Sequence, residues 1–143
     1  MTDVLPVKIQ NMSCTAGNRY LLRNINWEIK KGEHWLLFGM NGCGKTTLLS
    51  VVAGFRRHDT GTVEIFGDQY AGKNILGLRK RIGWVSASFF DKIYHSEKVL
   101  DIVLSGLNGS LGKNFDIENQ DIIRAKNLLR ELHVGHKIES SFD

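Results

Sequence analysis

Apolar and polar residues alternate in two stretches near the start of the chain. Over residues 7–12, Val7, Ile9 and Asn11 fall opposite Lys8, Gln10 and Met12; over residues 22–29, Ile25, Trp27 and Ile29 fall opposite Asn24, Asn26 and Glu28. A period of two predicts half-buried strands. Asn18 between the stretches and Lys31-Gly32 after them are turn signals. Trp35-Leu36-Leu37-Phe38 is a continuous apolar run and predicts a buried strand. Over residues 47–53 the period changes: Leu48, Leu49, Val51 and Val52 share a helical face, and Gly54 stands where a helix would stop. Residues 62–66, set between Asp59-Thr60-Gly61 and Gly67-Asp68, and residues 83–86 read as further short strands. From residue 97 onward the pattern is helical. Val99, Leu100, Ile102, Val103 and Leu107 line one helix over 97–107, with Ser96 as its N-cap and Gly106 near its end. Ile122, Ile123, Ala125, Leu128, Leu129 and Leu132 line a second over 117–132, and Asn108-Gly109-Ser110 and Gly112-Lys113-Asn114 form the loop between them.

The junction between the apolar run and the first helix carries the chemistry. Gly39-Met40-Asn41-Gly42-Cys43-Gly44-Lys45-Thr46 fits G-x-x-x-x-G-K-[ST], the phosphate-binding P-loop. Glycines let the backbone turn with positive φ and bring its N–H groups close to anionic oxygens, and the following helix adds its free N-terminal N–H groups. Lys45 is a mobile point charge for β- and γ-phosphates, and Thr46 offers a hydroxyl to Mg²⁺. The candidate nucleotide-binding residues are therefore Gly39, Asn41, Gly42, Cys43, Gly44, Lys45, Thr46 and Thr47. The bare pattern arises by chance in about one chain of this length in a hundred. Its order of strand, loop and helix weighs against the alternative, a glycine-rich surface turn with one exposed lysine.

Composition narrows the setting. The 143 residues, 42% hydrophobic and 24% charged, suit one domain with a real core. No apolar stretch reaches transmembrane length and the N-terminus lacks a signal-peptide core, so membrane contact is expected only through partners. Cys14 and Cys43 form neither a C-x-x-C pair nor a disulfide framework, which points to a reducing compartment. The net charge of +4 is modest, and the clusters Arg56-Arg57-His58 and Arg79-Lys80-Arg81 read as solvated surface, with no nucleic-acid partner. His133 and His136 lack accompanying ligands at metal-site spacing and read as a helix end.

Several phrases together resemble the nucleotide-binding subunit of ATP-binding cassette (ABC) proteins. They are Leu22-Arg23-Asn24-Ile25, Lys31-Gly32-Glu33, the P-loop through Thr47, Leu48-Leu49, Ala53-Gly54, Asp59-Thr60-Gly61, Phe66-Gly67 and Arg81-Ile82-Gly83-Trp84-Val85. The resemblance covers nearly all of residues 1–143 as a partial nucleotide-binding domain. It implies an α/β P-loop NTPase, a RecA-like core with an N-terminal antiparallel β-subdomain over residues 1–95, followed by the start of an α-helical subdomain over 96–143. ATP and Mg²⁺ are the ligands it implies. The partners are transmembrane permease subunits and a second nucleotide-binding subunit, and the location is cytoplasmic, peripheral on the inner face of the membrane. Residues 96–106 resemble importer-type subunits of the molybdate or metal-chelate branch.

The sequence departs from the family pattern in three places. Ala16 stands where the family carries an adenine-stacking aromatic, with Tyr20 near enough to substitute. Ala87 stands where the Q-loop glutamine should follow, leaving Ser86 and Ser88 as neighbours. The family's signature sequence, Walker B carboxylates and switch histidine would begin after Asp143; Leu104-Ser105-Gly106 comes too early for the signature and reads as the end of a core helix. The expectation is an ATPase as the full-length protein, and a chain that binds ATP without hydrolysing it alone. The alternatives are a soluble non-transport ABC ATPase and a noncatalytic nucleotide-binding module.

Overall fold

The computed structural model describes residues 4–69, 75–86, 97–110 and 116–141. Two compact units divide the chain, Met1–Leu78 and Arg79–Asp143.

The first unit is built on an antiparallel sheet with strand order β2-β1-β3-β4. β1 (Val7–Ala16) and β2 (Arg19–Ile29) form a long hairpin that turns at Gly17, whose φ of +57° suits glycine. β3 (Thr60–Ile65) pairs with the other side of β1, and the short β4 (Asp68–Gln69) follows a turn at Phe66 and Gly67. Helix α1 (Lys45–Val52) supplies Leu48 and Val51 to the core and packs against β2. Ile9, Met12, Cys14, Val51, Val63 and Ile65 are its most deeply buried side chains. Each large aliphatic among them contributes about 1.5–3 kcal/mol by leaving water.

The alternation of β2 is as its pattern predicts: Asn24, Asn26 and Glu28 are exposed, while Ile25, Trp27 and Ile29 are half-buried. β1 differs. Met12, expected on the outer face, is fully buried, because Asn11 adopts φ of +50° and the register shifts between Ile9 and Met12. An irregularity of this kind turns the side chain that follows it to the opposite face. The Asn26 side chain stitches it in place, accepting from Asn11 N at 2.9 Å and donating to Asn24 O at 3.2 Å.

Gly54 ends α1 as expected. The Gly54 N–H donates to Val51 O (3.0 Å) and the Phe55 N–H to Ser50 O (2.8 Å), a Schellman arrangement with Gly54 at φ of +78°. The buried face differs from prediction at two positions: Leu49 is turned outward and Ser50 inward, with the Ser50 hydroxyl donating to Thr47 O.

Neither predicted strand outside the sheet forms. Residues 33–40 and 82–86 have no regular structure, and Leu36 and Phe38 are 87% and 95% exposed. Their backbones have no neighbouring strand to pair with among the described residues. Trp35 meets the sheet, with its ring 5.6 Å edge-on from Trp27 and its indole N–H donating to Glu33 at 3.1 Å.

After the short α2 (Ile75–Arg79), the second unit pairs α3 (Val99–Ser105) with α4 (Asn119–Glu131). Leu104, Ala125 and Leu129 form its buried apolar contacts, and Leu104-Ser105-Gly106 is the end of α3, running into a 3₁₀ turn. Lys98 occupies the N-cap of α3, whereas Ser96, the predicted cap, lies outside the described residues. Glu118 and Asp121 make a reciprocal capping box at the start of α4. Ile123, Leu128 and Leu132, predicted on its apolar face, are exposed. His133 follows α4 with φ of +59° and His136 sits in the next 3₁₀ turn, so both lie at the helix end. No helix among the described residues is long and apolar enough to cross a membrane.

Candidate functional site

Residues 39–46 form a loop that closes onto the N-terminus of α1. Gly42 and Gly44 take φ of +81° and +99°. Gly44 has a second reason to be glycine: a Cβ there would lie 2.8 Å from Leu22 Cδ2 and 3.0 Å from Leu21 O, so the loop rests directly on β2. A Cβ on Gly39 would lie 2.9 Å from Cys43 Sγ. Leu48 N donates to Gly44 O at 2.8 Å, the first bond of α1. The N–H groups of Lys45, Thr46 and Thr47 precede that bond and have no carbonyl four residues back within the helix. They open onto the solvent side of the loop, where the helix dipole is positive.

The Lys45 side chain folds back into the loop. Its ammonium donates to Gly39 O at 2.7 Å and Met40 O at 2.8 Å, and lies 3.7 Å from Cys43 Sγ.

In front of the loop is a cleft of about 250 Å³. Asn41, Gly42, Gly44, Lys45, Thr46 and Thr47 line one side, and Arg19, Tyr20 and Leu21 from the start of β2 line the other. The structure thus brings Tyr20 together with most of the loop residues singled out from sequence. Gly39 and Cys43 are not among the lining residues and meet the cleft through their contacts with Lys45. Ala16 is exposed at the end of β1, opposite Arg19. The Arg23 guanidinium covers the Tyr20 ring at 5.3 Å from its centroid, a cation–π contact. Arg19 and Leu21 were not legible as site residues, because only the hairpin register carries them to a loop more than twenty residues away. Ala87 and Ser88 lie outside the described residues, and Ser86 is half-buried in irregular chain.

Two carboxylates brace this unit. Asp59 Oδ2 accepts from Thr15 Oγ1 (2.9 Å) and Thr15 N (2.6 Å), and these bonds, with Arg56 and His58 nearby, hold its carboxyl below the ordinary range. Glu33 accepts from Lys30 N (2.9 Å) and the Trp35 indole, which lower it likewise. Neither carboxylate lines the cleft.

The chain belongs to the ABC transporter family: the family model of that description matches residues 22–142. An ABC transporter ATP-binding protein of Bacillus subtilis (strain 168), YlmA, is 34% identical over 108 residues, 74% of this chain and 40% of that protein. The sulfate/thiosulfate import ATP-binding protein CysA of Neisseria meningitidis serogroup B is 28% identical over 136 residues, 95% of this chain and 37% of that protein. The chain thus spans less than half the length of these relatives. Among solved structures, a bacterial ABC transporter cassette in dimeric form matches with a TM-score of 0.70 at 23% identity, covering 94% of this chain and 61% of that one. At that identity the likeness is one of fold: the α/β P-loop NTPase fold of the cassette, with its antiparallel β-subdomain.

Proposed function

We propose that this chain is part of the ATP-binding subunit of an ABC transporter, and that ATP enters the cleft between the 39–46 loop and the β1–β2 hairpin. The observation that carries the reading is the loop itself. Gly44 lies against β2, the first helical N–H groups open outward, and the loop has one mobile ammonium. In this reading the backbone from Gly42 to Thr47 and the Asn41 side hold the phosphates, and Lys45 exchanges the Gly39 and Met40 carbonyls for phosphate oxygens. Gly39 and Cys43 shape the loop around that lysine. Thr46 holds Mg²⁺ through its hydroxyl, and the ion screens phosphate charge. Tyr20 flanks the adenine in place of an aromatic at Ala16.

Among the described residues, those lining the cleft include no carboxylate, and hydrolysis needs a group that orients water. Residues 1–143 alone are therefore proposed to bind ATP without turning it over, residues 1–95 as β-subdomain and P-loop core and residues 96–143 as the start of the helical subdomain. The whole protein is proposed to be an ATPase that works at the cytoplasmic face of the membrane with permease subunits and a second nucleotide-binding subunit. The dimeric cassette supports the second subunit and the importer name of CysA supports uptake. The molybdate or metal-chelate branch rests on residues 96–106 alone.

Calorimetric titration with Mg-ATP tests the reading. Saturable binding to the folded chain, with phosphate release at background, is expected. A chain with native circular dichroism that binds no ATP would refute it.

A further inference from the structure

The two walls of the cleft come from separate parts of the first unit. The loop and the first turn of α1 face any phosphates. Arg19, Tyr20 and Leu21 form the wall beyond them, which is where the base and ribose of a nucleotide must lie. Residues 16–20, the tip of the hairpin, are exposed and turn on a glycine, so the position of that wall is set from outside the tip.

The segment leaving α1 sets it. After the Schellman turn, Arg56 donates from Nε to Cys14 Sγ (3.2 Å) and from Nη2 to Thr15 O (3.3 Å). The Cys14 thiol donates in turn to Arg57 O at 3.5 Å, and Cys14 is only 1% exposed. Asp59 completes the attachment: its N–H donates to Ser13 O at 2.9 Å and its carboxylate takes both the N–H and the hydroxyl of Thr15. Residues 13–15 are thereby bound at six points to the chain emerging from α1. At the other end of the same helix, Gly44 rests on Leu21 and Leu22. The helix that presents the phosphate site is thus tied at both ends to the hairpin that forms the second wall.

We propose that Arg56 and Asp59 form a clasp on Cys14 and Thr15 that positions the hairpin wall for the base and ribose of the nucleotide, making Asp59 and Thr15 positioning residues for nucleotide selection. The proposal rests on the nucleotide-binding reading above. Its consequence is selective: loosening the clasp affects the part of the ligand that the hairpin faces and leaves the phosphate site intact. Preorganisation of a binding wall changes affinity without removing any contact residue.

Binding of Mg-ATP and of inorganic tripolyphosphate to the full chain, by calorimetry, separates the two walls. Asp59→Ala is expected to weaken Mg-ATP about tenfold while tripolyphosphate stays within about twofold. Asp59→Asn, which keeps an acceptor for Thr15, should remain close to the parent. Tyr20→Ala should show the same selective loss, and combining it with Asp59→Ala should add less than about twofold, since both act on one wall. Thr15→Val, which removes only the hydroxyl donor, gives a smaller loss in the same direction and serves if Asp59→Ala does not fold. Equal weakening of both ligands, no change in their ratio, or additive losses in the double variant would overturn the clasp. A parent chain that binds neither ligand would overturn the nucleotide reading with it, whereas a parent that binds both with an unchanged ratio in the variants would overturn the clasp alone.

Discussion

Replacing Lys45 by alanine removes the ammonium that the loop holds against its own carbonyls. That ammonium makes two short bonds, to Gly39 O and Met40 O. A hydrogen bond with one charged partner contributes about 1.5–3 kcal/mol, and one between two charged partners is stronger again. In the proposed reading nucleotide binding exchanges the carbonyls for phosphate oxygens, so the lysine would contribute only the difference, about 1–1.5 kcal/mol for each of two bonds. The sum of about 2–3 kcal/mol corresponds to a roughly 30- to 150-fold weaker Mg-ATP affinity for Lys45→Ala. Alanine is an excellent helix former at the first position of α1, and the lost bonds lie at the surface, so stability should change by less than about 1 kcal/mol. Calorimetry on the variant, with a urea unfolding curve as control, measures both quantities. Unchanged ATP affinity in a folded Lys45→Ala chain would refute the assignment of Lys45 to the phosphates.

Gly61→Ala should destabilise the first unit by at least about 2 kcal/mol. Gly61 has φ of +80° and a Cβ there would run into Gln10 O and the Asn11 backbone; an unfolding midpoint equal to the parent's would contradict this. Acid should weaken the same unit through Asp59 and Glu33. Their folded pKa values lie below the unfolded ones, so their stabilisation is complete above the ordinary carboxyl range and is lost as pH falls through the lower folded values, from about pH 4 downward. Both groups are exposed and the effect is modest; an Asp59→Asn, Glu33→Gln chain whose stability falls as steeply in acid as the parent's would exclude it. Phe38→Ser should reduce self-association in sedimentation velocity while leaving the unfolding midpoint unchanged, because Phe38 is almost fully exposed; equal association of variant and parent would show that the apolar run is not the adhesive surface.

What was legible in the sequence is what neighbouring residues decide among themselves. The loop 39–46 could be read because the N–H groups, the lysine and the hydroxyl it brings together are adjacent in the chain. Gly54 could be read because a Schellman turn closes within six residues, and β2 because its alternation from Asn24 to Ile29 is unbroken. Met12 was misplaced for a specific reason. Asn11 carries a positive φ, which asparagine tolerates better than most residues, and the register shift there turns Met12 to the face opposite the one its alternation predicts. The asparagines at 11, 24 and 26 were the available signal, since Asn24 also adopts φ of +51°. The second wall of the cleft was beyond reach because only the hairpin register carries it to the loop, and the Arg56–Asp59 clasp because its side-chain bonds join residues 41 to 44 positions apart.

The runs 35–38 and 82–86 mark a different boundary. Their apolar composition is that of strands buried on both faces, as in parallel sheets. Composition supplies only the faces of such a strand, however; its backbone donors and acceptors need neighbours on both edges. The antiparallel hairpin has its neighbour built in, two turn residues away, and β3 reaches β1 from residue 60 through the ties at Arg56 and Asp59. Trp35-Leu36-Leu37-Phe38 has no such neighbour among the described residues, and it leaves the sheet once Trp35 has met Trp27. The P-loop nevertheless keeps its glycine conformations and its contact with β2, because Gly44, Leu21 and Leu22 fix it from the other side. The loop proposed to hold phosphates therefore depends on the hairpin and α1 for its shape more than on the apolar run that leads into it.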